Sequence, residues 1–219
     1  MRLFTSAANP AQQHKIIAIT GGTLIDVVNN TTIPNAVVLI ENGIIKQTGT
    51  KNNITIPTNA FIIHADRKTI LPGLWDMHSH FEQAEWGPAY LAAGVTTVRD
   101  CGNEFGYINA IQKAIDDGKG VGPHILKAGI IDGKGPMALG IIQADNAEEE
   151  IQAVDRYKNN GFVQIKIYSS VKPAIVKVIC TEAHRLGLTV TGHIPNGMTL
   201  QQGVDSGMDQ VNHVQYVYS

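Results

Sequence analysis

Apolar positions recur along this chain in two rhythms, and the change falls near residue 70. Before it, the runs KIIAIT, TLIDVV, AVVLI, IIKQTG and AFIIHA are short, rich in β-branched residues, and parted by Gly21-Gly22, Asn29-Asn30 and Asn42-Gly43. Such spacing predicts a small all-β unit, sandwich or barrel, with a tight hairpin at Asn42-Gly43. Residues up to about Lys15 are polar and rich in Ala and Gln, and receive no element. After Leu71, strands alternate with helix-length amphipathic segments. LPGLWDMHSHF reads as a first strand, and TTVRD as a second after a helical stretch ending at Gly94. A helix from Glu104 to Asp117 stops at Gly118, and HILKAGIID is the third strand. Asp145 or Asn146 caps AEEEIQAVDRYKNN, whose first turn is acidic and which Gly161 follows. VQIKIYS is a fourth strand, and Pro173 opens a helix through Arg185 that Gly187 stops. LTVTGHI, a short helix from Thr199 to Asp205, and QVNHVQY supply strands five and six. Repeated βα units of this kind predict a parallel sheet, closed as a barrel or doubly wound. The dinucleotide fingerprint that marks many doubly wound sheets is absent.

Composition narrows the class. A chain of 219 residues with a formal net charge of -2 can bury a core, and its charge offers no basic face for nucleic acid. No apolar run approaches a membrane span, and the start MRLFTSAANPAQQHK lacks the apolar stretch of an export signal. The expectation is a cytoplasmic protein acting on a small molecule, with neither nucleic acid nor membrane as partner. Cys101 and Cys180 are far apart and imply no disulfide framework.

Candidate chemistry lies at the expected carboxyl ends of the strands. Period-two alternation aims Asp76, His78 and His80 at one face, and His-x-His on a strand lets two imidazoles converge on one metal ion. In VQIKIYS, Ile165 and Ile167 alternate with Lys166 and Tyr168, so Lys166 points into the barrel. A buried, unpaired ammonium is costly and tends to lose its proton. The neutral amine can take up carbon dioxide, and the resulting carbamate has two oxygens able to bridge two metal ions. His193, between Gly192 and Pro195, and His213, opposite in face to Asn212, complete the candidate metal set. Each histidine alone is more often a satisfied core residue than a ligand. Four at one level of consecutive strands, with a lysine among them, favour the metal reading.

The remaining candidates take lesser roles. Asp76 is expected to orient a ligand from behind it. Tyr168 is balanced between donating to a substrate oxygen and filling the barrel. Arg99-Asp100 reads as a buried pair or a substrate contact, with Cys101 an inert thiol. His184 is placed on a helix surface, His124 at the end of the barrel away from the site, His64 in the β unit and His14 in the terminus. The irregular stretch from Asp132 to Asn146 is expected to lie over the mouth of the barrel.

PGLWDMHSH after a small β unit, GVTTVRDCG, the strand with Lys166, TGHIP and VNHVQ together resemble the amidohydrolase superfamily, nearest its imidazolonepropionase and prolidase-like members. The resemblance runs over nearly all of the chain from Ile16. It implies a (β/α) barrel with a β-sandwich built from both chain ends, and a metal-activated water that attacks a C–N or ester carbonyl. It implies two divalent ions, zinc foremost, with His78 and His80 on one, His193 and His213 on the other, and carboxylated Lys166 bridging. The fold expected is therefore α/β: residues 1–70 as part of a composite β-sandwich, and 71–219 as an incomplete (β/α)8 TIM-like barrel. About six βα units fit, where a full barrel takes about 250 residues. The family's general-base aspartate, on strand eight, is expected beyond residue 219, so the chain reads as the front part of a longer protein.

Three functions follow from these residues. The first is a binuclear metal hydrolase acting on carbon–nitrogen bonds. The second is a mononuclear deaminase of the same superfamily, against which Lys166 argues. The third is a truncated, non-catalytic form, poorly soluble or associating as a homo-oligomer through open sheet edges.

Overall fold

The computed structural model describes residues 15–136, 138–139 and 142–218. His14 lies outside them. Contacts divide the chain into two units. One comprises residues up to Trp75 with 85–96 and 114–123; the other comprises 76–84, 97–113 and the residues from His124 onward.

The first unit is built from the short runs. Its strands are β1 (Ile16–Thr20), β2 (Thr23–Asp26), β3 (Thr31–Ile33), β4 (Ala36–Glu41), β5 (Ile44–Thr50), β6 (Phe61–His64) and β7 (Thr69–Ile70). They form a four-stranded sheet, β5-β4-β1-β6, and a three-stranded sheet, β3-β2-β7. Buried Ile17, Leu24, Ala36, Val38 and Ile40 draw on both sheets to make one core, with Ile19, Ile33, Phe61, Ile63 and Ile70 packed against it. The β4–β5 hairpin turns at Asn42 (φ 50°) and Gly43 (φ 77°), the paired left-handed residues that suit the right-handed twist of the strands. His64 lies on β6, in the β unit as the sequence indicated, and is exposed there.

The second unit carries most of the parallel sheet, β8 and β9 having their first two residues in the first unit. The strands are β8 (Leu74–Ser79), β9 (Val95–Asp100), β10 (His124–Asp132), β11 (Ile142–Gln143), β12 (Gln164–Ile167) and β13 (Thr189–Gly192). The sheet order is β13-β12-β10-β9-β8, with β11 alongside β10. This curled, five-stranded half-barrel with its helices is an incomplete (β/α)8 arrangement. The helices are α1 (Trp86–Ala92), which belongs to the first unit, then α2 (Phe105–Asp116), α3 (Ala147–Asn159), α4 (Pro173–Arg185) and α5 (Leu200–Asp205).

Local chemistry sets the helix ends. The Asn146 side chain accepts the Glu149 N–H at 3.0 Å and so caps α3. Glu148, Glu149 and Glu150 fill its first turn, and Arg156 and Lys158 its last, with the sign the helix dipole favours. Pro173 opens α4, and Thr199 with Gln202 forms a reciprocal capping box at α5. On α3 the buried face includes Ala153, Val154 and Tyr157, whose hydroxyl donates to the Ile130 carbonyl of β10.

One element departs from expectation. QVNHVQY is not a strand: residues 209–212 run beside β13, with Asp209 and Gln210 N–H groups on Val190 O and Asn212 N–H on Gly192 O. A left-handed His213 (φ 71°) then breaks the extended path, and Val214–Val217 form a 3₁₀ turn. The pleat cannot pass through a left-handed residue, and this run has ladder partners on one side only among the described residues. Among those residues, no helix is long and apolar enough to cross a membrane.

Candidate functional site

All five predicted metal ligands lie in the second unit, and the four histidines among them form a chain of ring contacts. His78 sits on β8, half-buried, and His80 follows the strand's end. His193 follows β13, its N–H bonded to Ile167 O at 2.9 Å. The preceding Gly192 is needed there: a Cβ would stand 2.3 Å from Ile167 O, so only glycine lets β13 approach β12 so closely at the site. The His78 ring lies 5.5 Å from that of His80 and 4.9 Å from that of His213. The rings of His193 and His213 are 5.0 Å apart, with Nε2 to Nε2 at 3.2 Å.

Lys166, on β12, is wholly buried, and its Nζ has no hydrogen-bond partner among the described residues. The ammonium lies over the Tyr168 ring, 5.5 Å from its centroid, and that ring lies 4.5 Å from His193. Burial is the main force lowering the Lys166 amine to about 8; Arg99 lowers it further, while Cys101 and Asp100 act in the opposite direction. Burial, then the charge on Lys166, then neighbouring histidines hold His78 and His193 down to about 4. His213 is lowered by burial, Lys166 and His80. His78, His193 and His213 are therefore shifted toward the neutral imidazole, the form that donates a lone pair to an ion.

Two hydrogen bonds orient the rings. His80 Nδ1 faces the Gly102 carbonyl at 2.8 Å, which requires a proton on Nδ1 and leaves the Nε2 lone pair free. His193 Nδ1 meets Ser169 Oγ at 3.2 Å. Neither Gly102 nor Ser169 was singled out from sequence; a serine in IYSS and a glycine in RDCG carry no signal of their own. His213 adopts φ 71°, ψ 116°, an uncommon conformation for a residue with a Cβ, of a kind that concentrates at functional sites.

The other candidates resolve individually. Asp76 Oδ1 accepts the backbone N–H of His78 at 3.1 Å, and so fixes the strand rather than a ligand ring. Arg99 does not pair with Asp100: its Nε donates to Met77 O at 2.7 Å and its Nη1 to Gln210 Oε1. Cys101 is buried and its thiol is pushed up, first by that burial, in keeping with an inert sulfur. His124 begins β10, away from the cluster's end of the strands. His184 lies on α4, with Nε2 2.9 Å from Asp209 Oδ2. Within the Asp132–Asn146 stretch, Asp132 ties the loop down, accepting N–H groups from Gly133, Leu139 and Ser170.

The donor set fits metal ions on the chemistry of its residues. Two neutral imidazole nitrogens 3.2 Å apart match the roughly 3.3 Å that a tetrahedral ion with Zn–N near 2.0–2.1 Å would impose. Among the described residues, no three His, Cys, Asp or Glu side chains by themselves stand so as to hold an ion. A complete sphere would need a further ligand besides these imidazoles.

Solved structures supply the comparison. A Bifidobacterium longum protein named as a prolidase superposes with a TM-score of 0.77 at 23% identity, over 90% of this chain and 54% of that one. The A. niger ochratoxinase gives 0.76 at 22%, covering 91% and 60%. A Xaa-Pro dipeptidase with methionine bound in its active site gives 0.75 at 21%, covering 92% and 62%. The chain shares their fold. It spans little more than half to about three fifths of the length of these structures. No protein-family model and no curated protein sequence matches it.

Proposed function

We propose that this chain carries the metal-binding part of a hydrolase that cleaves carbon–nitrogen bonds in small amide or dipeptide substrates. The observation that carries the reading is Lys166: a wholly buried amine with no hydrogen-bond partner among the described residues, whose charge acts on His78, His193 and His213. Leaving such a group unsatisfied costs stability that a hydrophobic residue would not, so its place on β12 calls for a chemical role. Fold-level likeness to a prolidase, an ochratoxinase and a Xaa-Pro dipeptidase supports the same reaction class.

In this reading His78 and His80 would hold one ion, His193 and His213 a second, and carboxylated Lys166 would be a ligand shared by both. Bound ions of this kind lower the pKa of a water and polarise a carbonyl. The chain's own residues do the rest. Gly102 O and Ser169 Oγ hold the imidazoles with Nε2 turned inward. Tyr168, packed on His193, brings a hydroxyl to the same group of side chains and is placed to donate to a substrate oxygen. The aspartate base implied by the family resemblance is not assigned to any residue of this chain.

The test is a zinc titration of the metal-free chain by calorimetry, with and without bicarbonate, beside a hydrolysis screen over Xaa-Pro dipeptides and N-acyl amino acids. Tight zinc binding that strengthens with bicarbonate is expected. A chain that binds no zinc in either condition removes the reading.

A further inference from the structure

Asp100 ends β9 and is 1% exposed. Its Oδ2 accepts the Phe81 N–H at 2.7 Å and an Asn103 Nδ2–H at 3.3 Å, while Oδ1 accepts the Gly102 N–H at 3.1 Å. Two of those donors adjoin His80. Phe81 is the next residue along the chain, and Gly102 O is the acceptor of the His80 Nδ1–H at 2.8 Å. Asn103 Nδ2 also donates to Phe81 O at 2.9 Å, and the Cys101 N–H bonds Ser79 O at 2.7 Å, so the segment after β8 and the segment after β9 are tied together around one carboxylate. Gly102 has φ 133°, and a Cβ on it would stand 2.3 Å from the Ile130 side chain, so the carbonyl reaches this orientation only from glycine.

We propose that Asp100 is a positioning residue: by holding Phe81 N–H and Gly102 N–H on one carboxylate, it fixes both the ring orientation and the tautomer of His80. The backbone leaving His80 and the acceptor facing its ring are anchored on the same group. A carbonyl can only accept, so the ring opposite it keeps its proton on Nδ1 and its lone pair on Nε2. The inference rests on the proposed function only for what Nε2 binds.

Nitrogen-15 NMR of the histidine rings in the metal-free chain, at mildly alkaline pH where imidazoles carry one proton, reads the tautomer directly. Wild type should show His80 protonated on Nδ1. Asp100→Asn keeps the side chain's shape but sets an NH2 group against backbone N–H donors. It should move His80 toward mixed tautomers and weaken zinc binding by about ten- to a hundredfold. Should that variant fail to fold, Asn103→Ala, which removes one donor to the carboxylate and one tie to Phe81 O, carries the same reading with a smaller shift. A folded variant whose His80 keeps the wild-type tautomer, with zinc affinity within about twofold of wild type, overturns the proposal. A wild-type chain that binds no zinc overturns the metal reading instead, and the tautomer still decides this one.

Discussion

The Nε2 atoms of His193 and His213 lie 3.2 Å apart, although His193 closes β13 and His213 sits twenty residues later in a left-handed turn. Two neutral imidazoles at that distance share either one proton or one ion. On the metal reading, His213→Ala should remove one bound ion and leave the site at His78 and His80 loaded. Elemental analysis after zinc loading checks this, and an unchanged zinc content would remove His213 from the ligand set.

Acid should weaken the metal-free fold through these same rings. His78 and His193 fall from 6.5 to about 4 on folding, chiefly by burial, so the unfolded chain binds more protons between those values. Their contribution to stability is present above about pH 6.5 and is lost as pH falls toward 4. Urea melts across that window should show the loss, and His193→Gln should make it shallower. An equal slope in both proteins would mean that His193 is not held neutral.

Lys166→Met should stabilise the metal-free chain while abolishing any bicarbonate effect on zinc binding. The amine falls from 10.5 to about 8 on folding, mainly by burial, so the folded state binds fewer protons between these values and the penalty for burying the amine shrinks as pH rises across them. The gain from Met should therefore be largest below pH 8. Thermal melts at several pH values measure it. A Met variant less stable than wild type at neutral pH would mean that the ammonium has a partner.

Glu150 makes a separate case in the first turn of α3. It is wholly buried, and among the described residues neither carboxylate oxygen has a hydrogen-bond partner. Burial, followed by Glu149 and Asp145, raises it from 4.5 to about 8. The folded state holds the proton in this range, so stability is full below about pH 4.5 and is lost as pH rises toward 8, by up to about 1.4 kcal/mol per pH unit. Glu150→Gln should remove that slope and raise the melting temperature near pH 8. An unchanged pH profile of stability would place a partner on the carboxylate.

Self-association is expected through β8. It is an edge of the parallel sheet, and Leu74, Trp75 and Met77 on it are 54%, 58% and 46% exposed. An open edge with apolar side chains is a template for another strand. Light scattering behind size exclusion should find oligomers, and Met77→Lys should shift them toward monomer. A monodisperse wild-type monomer would show the edge to be protected.

How much of this was legible follows from the range of the forces involved. Hydrophobic period, turn residues and caps act over a few positions, so the hairpin at Asn42-Gly43, the cap at Asn146, the Pro173 start and the alternation that buries Lys166 could all be read from the chain. The His-x-His pair was legible for the same reason. The sixth run was misread because QVNHVQY has strand composition, while a strand also needs ladder partners and an extended path. Beside β13 the run finds partners on one side only among the described residues, and His213 turns left-handed. The reading of Arg99-Asp100 as a buried pair, one of two offered for it, was likewise an inference from adjacency. Neighbours on a strand face opposite sides, so the sheet sends Arg99 to Met77 and Gln210, and turns Asp100 toward the backbone of Phe81 and Gly102. Tautomers, the Ser169 contact and the lowered pKa values of His78, His193 and His213 depend on residues distant in sequence brought within a few ångströms. Only the tertiary structure decides those, because burial and through-space charge have no local signature in the order of amino acids.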